Sequence, residues 1–222
     1  VKLFVYATQS SGASLFTYFL AQKENTIGIV DFWGKGEFPS FNDIECNMVL
    51  KATINSLRRK TLNIYLQNYL PDKNILFLRN PYDNYASGKK YYGHNSMISV
   101  LKKINAYFII RKDIFHTMLC YEDFISKHDI VMRELQKIKW ELDLNSYNFD
   151  RSPKQMRIFN KENSIWCQNK HNNRHGYGFG NLHFNKENKI LFEPKYVKKE
   201  ISNEDKELVK QACPDICDYY NI

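Results

Sequence analysis

The chain has 222 residues, of which 43% are hydrophobic and 15% aromatic, enough for one sizeable buried core without requiring a second domain. Its formal charge of +8 favours a polyanionic partner: a nucleotide, an acidic substrate, a nucleic acid or an anionic membrane. The lysines are scattered, and neither an arginine-rich helix nor an aromatic RNA-binding signature occurs, which argues against nucleic acid. Five cysteines at 46, 120, 167, 213 and 217 form neither a disulfide framework nor a paired zinc pattern, so reduced thiols are expected, with Cys213 and Cys217 read as core or helix-surface residues. No run approaches the ~18 apolar residues of a membrane span, and no charged-then-apolar leader opens the chain. A soluble, cytoplasmic protein is the expectation, and a start at Val1 leaves room for a leader or anchor already removed.

Residues 2–8 form an apolar run that predicts a buried strand, followed by a small-residue turn at 8–14 and an amphipathic helix. Residues 26–31 are a second short apolar run ending in Asp31, and residues 33–41, rich in Gly, Pro and aromatics, predict a loop. Between 42 and 70 the apolar residues Ile44, Met48, Leu50, Ile54, Leu57, Leu62, Leu66 and Leu70 fit helical spacing, with Pro71 and Asp72 ending one long or two shorter helices. Residues 74–79 predict a third strand ending in Arg79, and Asn80-Pro81-Tyr82-Asp83 has the form of a helix start. A helix over 97–112, a fourth strand over 116–121 and an amphipathic helix over 129–140 follow. The polar stretch from about 141 to 192 lacks periodicity and predicts loops or a lid. Ser202 to Asp205 reads as a capping box opening a helix to about Tyr220. Strand–helix alternation predicts a single α/β domain over 1–222, with a central parallel sheet flanked by helices.

The turn after the first strand carries the clearest chemistry. Ser10, Ser11, Gly12 and Ala13 have little side-chain bulk, so backbone N–H groups can close on an anion while the helix beyond presents unpaired amides and a positive dipole end. In an open α/β sheet this turn falls at the carboxyl edge, where ligands collect. Arg79 at a strand end and Ser87 on the next helix can also converge on one phosphate, through a charged fork and a hydroxyl. Taken singly, each has an ordinary structural alternative: an arginine paired with Asp83, a serine packed in a helix.

Three segments together resemble the sulfotransferase family that uses 3′-phosphoadenosine 5′-phosphosulfate. Gln9-Ser-Ser-Gly-Ala-Ser14 is similar to the family's loop for the 5′-phosphosulfate; Leu78-Arg-Asn-Pro-Tyr-Asp-Asn-Tyr-Ala-Ser87 resembles its Arg-Asp/Asn-Pro-x-Asp segment with a serine eight residues after the arginine; Tyr121-Glu-Asp-Phe124 resembles its Tyr-Glu-Asp-Leu segment. The resemblance implies a P-loop-like nucleotide-binding sulfotransferase fold and transfer of a sulfuryl group to a hydroxyl or amine of a glycan, peptide or small molecule. Direct in-line transfer requires no metal. It also implies that Gln9, Ser10, Ser11, Gly12, Ala13, Ser14 and Leu15 hold the 5′ side of the nucleotide, that Arg79 and Ser87 hold the 3′-phosphate, and that Arg174, Gly176 and Tyr177 of a late glycine-containing loop close over it. Tyr121 and Glu122 are structural in this reading, and the product left in the site is adenosine 3′,5′-bisphosphate.

Three positions depart from the family pattern. Ser10 stands where the family has Lys or Arg, Ala13 replaces Thr, and Leu15 replaces a Trp that stacks on adenine in many members. The missing loop cation makes Lys35, Lys89 and Lys90 the candidate substitutes. For the base that takes the acceptor's proton, Asp31 is the first candidate, Glu37 the next, and Asp43 and Glu45 follow. His171, His175 and His183 near Arg174 lack the cysteine or carboxylate pattern of a zinc site. Two other readings stay open: a noncatalytic protein that binds the nucleotide, favoured by the missing cation, and a P-loop phosphotransferase, disfavoured because Ala7 and Ala13 occupy the diagnostic Gly and Lys positions. The acceptor is unspecified, with net basicity favouring an acidic one, and no motif speaks to oligomeric state.

Overall fold

A computed structural model describes residues 1–23, 26–30, 47–54, 66–67, 69–142 and 198–222. Among the described residues, five strands, β1 (Lys2–Thr8), β2 (Thr26–Val30), β3 (Asn47–Ile54), β4 (Lys73–Leu78) and β5 (Thr117–Cys120), form one sheet in the order β2-β3-β1-β4-β5. Every pairing is parallel. Parallel strands covered on both faces read as near-continuous apolar runs, and β1 fits: Leu3, Val5 and Ala7 face one core while Phe4 and Tyr6 face the other, all almost fully buried.

On the first face lie α1 (Ala13–Leu20), α5 (Tyr121–Ser126) and α6 (His128–Lys137). Their core is aromatic: Phe16 stacks on Phe77 at 4.5 Å between ring centroids, and Phe124 meets Phe16 edge-on at 5.3 Å. The second face carries α2 (Pro81–Tyr92), α3 (His94–Ile109), α7 (Asn203–Ala212) and α8 (Pro214–Tyr219), which bury Tyr85, Leu101, Ile104, Phe108, Val209 and Ile216 against the sheet. A short helix, α4 (Arg111–Ile114), precedes β5. Fully burying one large apolar side chain contributes about 1.5–3 kcal/mol, so these two layers hold the strand ends rigidly in place.

The helix expected over 42–70 is corrected in part: residues 47–54 are β3, inserted between β1 and β2. Met48, Leu50, Ala52 and Ile54 enter one core and Val49 the other, a period of two that also satisfies several helical spacings when Met48, Leu50 and Ile54 are the residues counted. Leu66, Gln67 and Tyr69 are helical, as the same reading expected. The final helix is two, because Cys213 leaves the helical conformation ahead of Pro214 (φ −144°, ψ 62°) and a residue before proline is disfavoured in the helical region. Cys213 and Cys217 are buried in the core with their sulfurs 3.9 Å apart. The capping role of Ser202 is present: its Oγ accepts from the Asp205 amide at 3.1 Å.

The topology sets the ligand edge. From β1 the chain leaves through α1 on one face toward β2, whereas from β4 it leaves through α2 on the opposite face toward β5. Adjacent parallel strands whose connections depart in opposite directions leave a crevice at their carboxyl ends, the usual binding position in open α/β sheets. Here β1 and β4 are those neighbours.

Candidate functional site

The β1–α1 turn is tightly made. Ser10 has φ +58° and Gly12 φ +85°, and a β-carbon at residue 12 would overlap the ring of Tyr121. Glycine is therefore required twice over, by backbone conformation and by the close approach of an aromatic ring. Ser11 Oγ donates to the Thr8 carbonyl at 2.7 Å, closing the turn on itself. Gly12 caps α1 without any side-chain hydrogen bond, and no acid lies in the first helical turn. The first-turn amides consequently lack an intrahelical acceptor and point a partial positive charge into the crevice.

Across the crevice, Asn80 caps α2 by accepting from the amides of Tyr82 (3.0 Å) and Asp83 (3.4 Å), with Pro81 at the first helical position. Arg79, between β4 and this cap, donates from Nη1 to the Ser10 carbonyl at 2.9 Å and lies over the Tyr121 ring at 4.7 Å. Both sequence motifs thus meet directly. Among the described residues, three buried polar atoms at these positions have no hydrogen-bond partner: Arg79 Nε, Ser87 Oγ and Gln9 Oε1. Ser87 and Gln9 are 8% and 6% exposed. An unsatisfied buried polar group costs about 1–3 kcal/mol, so this concentration of orphans fits a site that is completed by a ligand.

Supporting groups surround the pair. Glu122 Oε1 accepts from the Asn80 amide at 2.9 Å and Oε2 from the Tyr220 hydroxyl at 3.0 Å, joining α5, the α2 start and the last helix. Burial raises the Glu122 pKa, while these hydrogen bonds and Arg79 oppose the rise; burial also raises that of Tyr121. Asp83, 1% exposed, accepts from the Lys199 amide at 2.7 Å, so Arg79 keeps its guanidinium for Ser10 and Tyr121 while Asp83 holds the returning chain.

Lys51 was not foreseen as a site residue. It lies in β3 opposite Val5 and Val30, is only 4% exposed, and donates from Nζ to Ser14 Oγ at 3.1 Å. A buried ammonium is costly unless well compensated, and here it delivers positive charge to the opening turn of α1. The signal was present in the sequence as a single lysine inside the apolar run Met48-Val-Leu-Lys-Ala-Thr-Ile54, hidden because the run was read as helix.

Of the predicted residues, Gln9 to Leu15 and Arg79 gather at one sheet edge, and Ser87 lies on α2 three residues beyond Asn84, which bonds Thr8 and Gln9. The side chains of Ala13 and Leu15 enter the α1 core, leaving their backbones toward the crevice. Lys89 is engaged with Asp205 at 2.9 Å and Lys90 lies over Tyr91 at 4.7 Å. Both stand in the last turn of α2, roughly 12 Å along the helix from its start. Asp31, Lys35, Glu37, Asp43, Glu45, His171, Arg174, His175, Gly176, Tyr177 and His183 lie outside the described residues. A cleft of about 530 Å³ along α6, lined by Met132, Arg133, Gln136 and Trp140 among others, contains none of the predicted residues. Among the described residues no helix is long and apolar enough to cross a membrane. No protein-family model matches the chain, and no curated protein matches it in sequence.

Proposed function

We propose that this protein binds 3′-phosphoadenosine 5′-phosphosulfate in the β1/β4 crevice and transfers its sulfuryl group to a hydroxyl or amine. The observation that supports the reading is the pair of orphaned buried donors, Arg79 Nε and Ser87 Oγ, on the segment that Arg79 and Asn84 tie to the turn before the uncapped start of α1. Two separate anion-binding elements at one edge suit a ligand with phosphate groups at both ends of a ribose. Charge-assisted hydrogen bonds contribute about 1.5–3 kcal/mol each, so Arg79 and Ser87 together distinguish a 3′-phosphorylated nucleotide from one lacking that group.

The nucleotide supplies an activated sulfuryl group on a phosphate–sulfate anhydride. The amides of Ser11 to Ser14 stabilise negative charge at its 5′ side. Lys51, through its contact with Ser14, provides the positive charge that Ser10 lacks and offsets charge developing on the departing phosphate oxygen. Asp31, next after the last residue of β2, takes the proton of the acceptor O–H or N–H as that atom attacks sulfur in line. Arg79 and Ser87 keep the ribose from shifting during the attack.

The test has two parts. In titration calorimetry, adenosine 3′,5′-bisphosphate should bind at least about tenfold more tightly than adenosine 5′-monophosphate and more tightly than ATP with magnesium. Preference for ATP with magnesium would instead favour a phosphotransferase. A labelled sulfuryl group should then pass from 3′-phosphoadenosine 5′-phosphosulfate to a member of a mixed hydroxyl and amine acceptor panel, releasing adenosine 3′,5′-bisphosphate, and Asp31→Asn should abolish that transfer. Tight bisphosphate binding with no transfer to any acceptor would leave a noncatalytic nucleotide-binding protein, the reading that Ser10 favours.

A further inference from the structure

The two halves of the crevice belong to different elements, yet three successive residues of the β1 end are tied to the α2 side. Asn84 of α2 is 1% exposed. Its Oδ1 accepts from Thr8 Oγ1 at 2.7 Å and its Nδ2 donates to the Gln9 carbonyl at 2.6 Å. Arg79 adds the third tie, to the Ser10 carbonyl. Asn84 stands between Arg79 and Ser87 in the chain, so one side chain links the anion-binding turn to the segment that carries both orphaned donors. A buried amide bound on both its oxygen and its nitrogen cannot rotate without leaving a polar group unpaired.

We propose that Asn84 is a positioning residue that fixes the β1–α1 turn against α2 at the separation of two phosphate groups. The site then takes a nucleoside 3′,5′-bisphosphate as one rigid two-point ligand instead of two independent anions. The inference rests on the phosphosulfate-nucleotide reading of the crevice. A second anionic group engaged within the same molecule gains from the high effective concentration set by a rigid spacing, and a preorganised site loses less entropy on binding. Loosening the spacing therefore weakens the connection between the two phosphates more than it weakens either alone.

Calorimetric titrations of adenosine 3′-monophosphate, 5′-monophosphate and 3′,5′-bisphosphate against the wild type, Asn84→Ala and Thr8→Val test this. Thr8→Val, which breaks one of the two Asn84 hydrogen bonds, should weaken the bisphosphate about tenfold, and Asn84→Ala, which breaks both, at least as much, while each monophosphate changes by less than about threefold. Equal weakening of all three ligands would mean that Asn84 merely supports the fold, and unchanged bisphosphate affinity would mean that the spacing is set elsewhere; either result overturns the proposal. If Asn84→Ala fails to fold, Thr8→Val decides alone, because it exchanges a hydroxyl for a methyl of similar shape. A wild type that binds the bisphosphate no better than the tighter monophosphate refutes the nucleotide reading itself. That failure is separate from loss of the Asn84 effect in a wild type that does bind it.

Discussion

Replacing Gly12 with alanine acts on the fold and the crevice together. The backbone at Gly12 has φ +85° and ψ 3°, a left-handed conformation that costs an L-residue about 1–2 kcal/mol. The added methyl also overlaps the Tyr121 ring, and forcing an extra carbon into a packed site costs roughly 1–3 kcal/mol more. The sum, about 2–5 kcal/mol, corresponds in a chain of this size to a fall in Tm of roughly 5–15 °C. Because the Tyr121 ring carries the Arg79 guanidinium, displacing it should also weaken the proposed bisphosphate binding. Chemical denaturation of wild type, Gly12→Ala, Tyr121→Ala and the double variant separates the two contributions. With the ring gone, the Gly12→Ala penalty should shrink to the backbone part, about 1–2 kcal/mol. An equal penalty in both backgrounds would refute the steric argument, and a penalty below about 0.5 kcal/mol in the wild-type background would refute both parts.

Ser87→Ala removes a buried hydroxyl without a protein partner, so the free protein should lose at most about 0.5 kcal/mol of stability, or gain some, while bisphosphate affinity falls about tenfold; thermal melts and titration of one preparation check both. Lys51→Met should reduce sulfuryl transfer by about 10²-fold, in the range seen when one preorganised charge-stabilising donor is removed, with the bisphosphate Kd changed less than about threefold; single-turnover assays measure the first, and an unchanged rate would remove Lys51 from the chemistry. Although His116 is exposed, partial desolvation and nearby Lys73 lower its pKa from its ordinary 6.5, and its Nδ1 lies against both the amide and the side-chain oxygen of Asn74. The unfolded chain then binds the proton more tightly, so this contribution is fully present above pH 6.5 and is lost as pH falls below it toward the folded value. Denaturation midpoints at pH 7.5 and 5.5 should differ more for wild type than for His116→Gln; equal differences would contradict the assignment.

The sequence alone determined those features in which one short stretch carries its own instruction. Small residues around Gly12 after an apolar run, and Asn80-Pro81 after another, specify a strand, a turn and a helix start by local sterics and capping, and β1, α1, β4 and α2 appear where that chemistry puts them. Arg79 likewise stands directly after β4, where it meets the carbonyl of Ser10. Tertiary structure decided what depends on neighbours far along the chain. Residues 47–54 become β3 because a place between β1 and β2 buries both their faces, a demand that no local period of apolar residues expresses. Once that strand is in place, Lys51 lies against Ser14 thirty-seven positions away, and Asn84 closes on Thr8 and Gln9. A hydrogen-bond partner is chosen by position in space, so sequence spacing could single out Arg79 and the Gly12 turn, and only packing could bring Lys51 to Ser14 and Asn84 to Thr8 and Gln9.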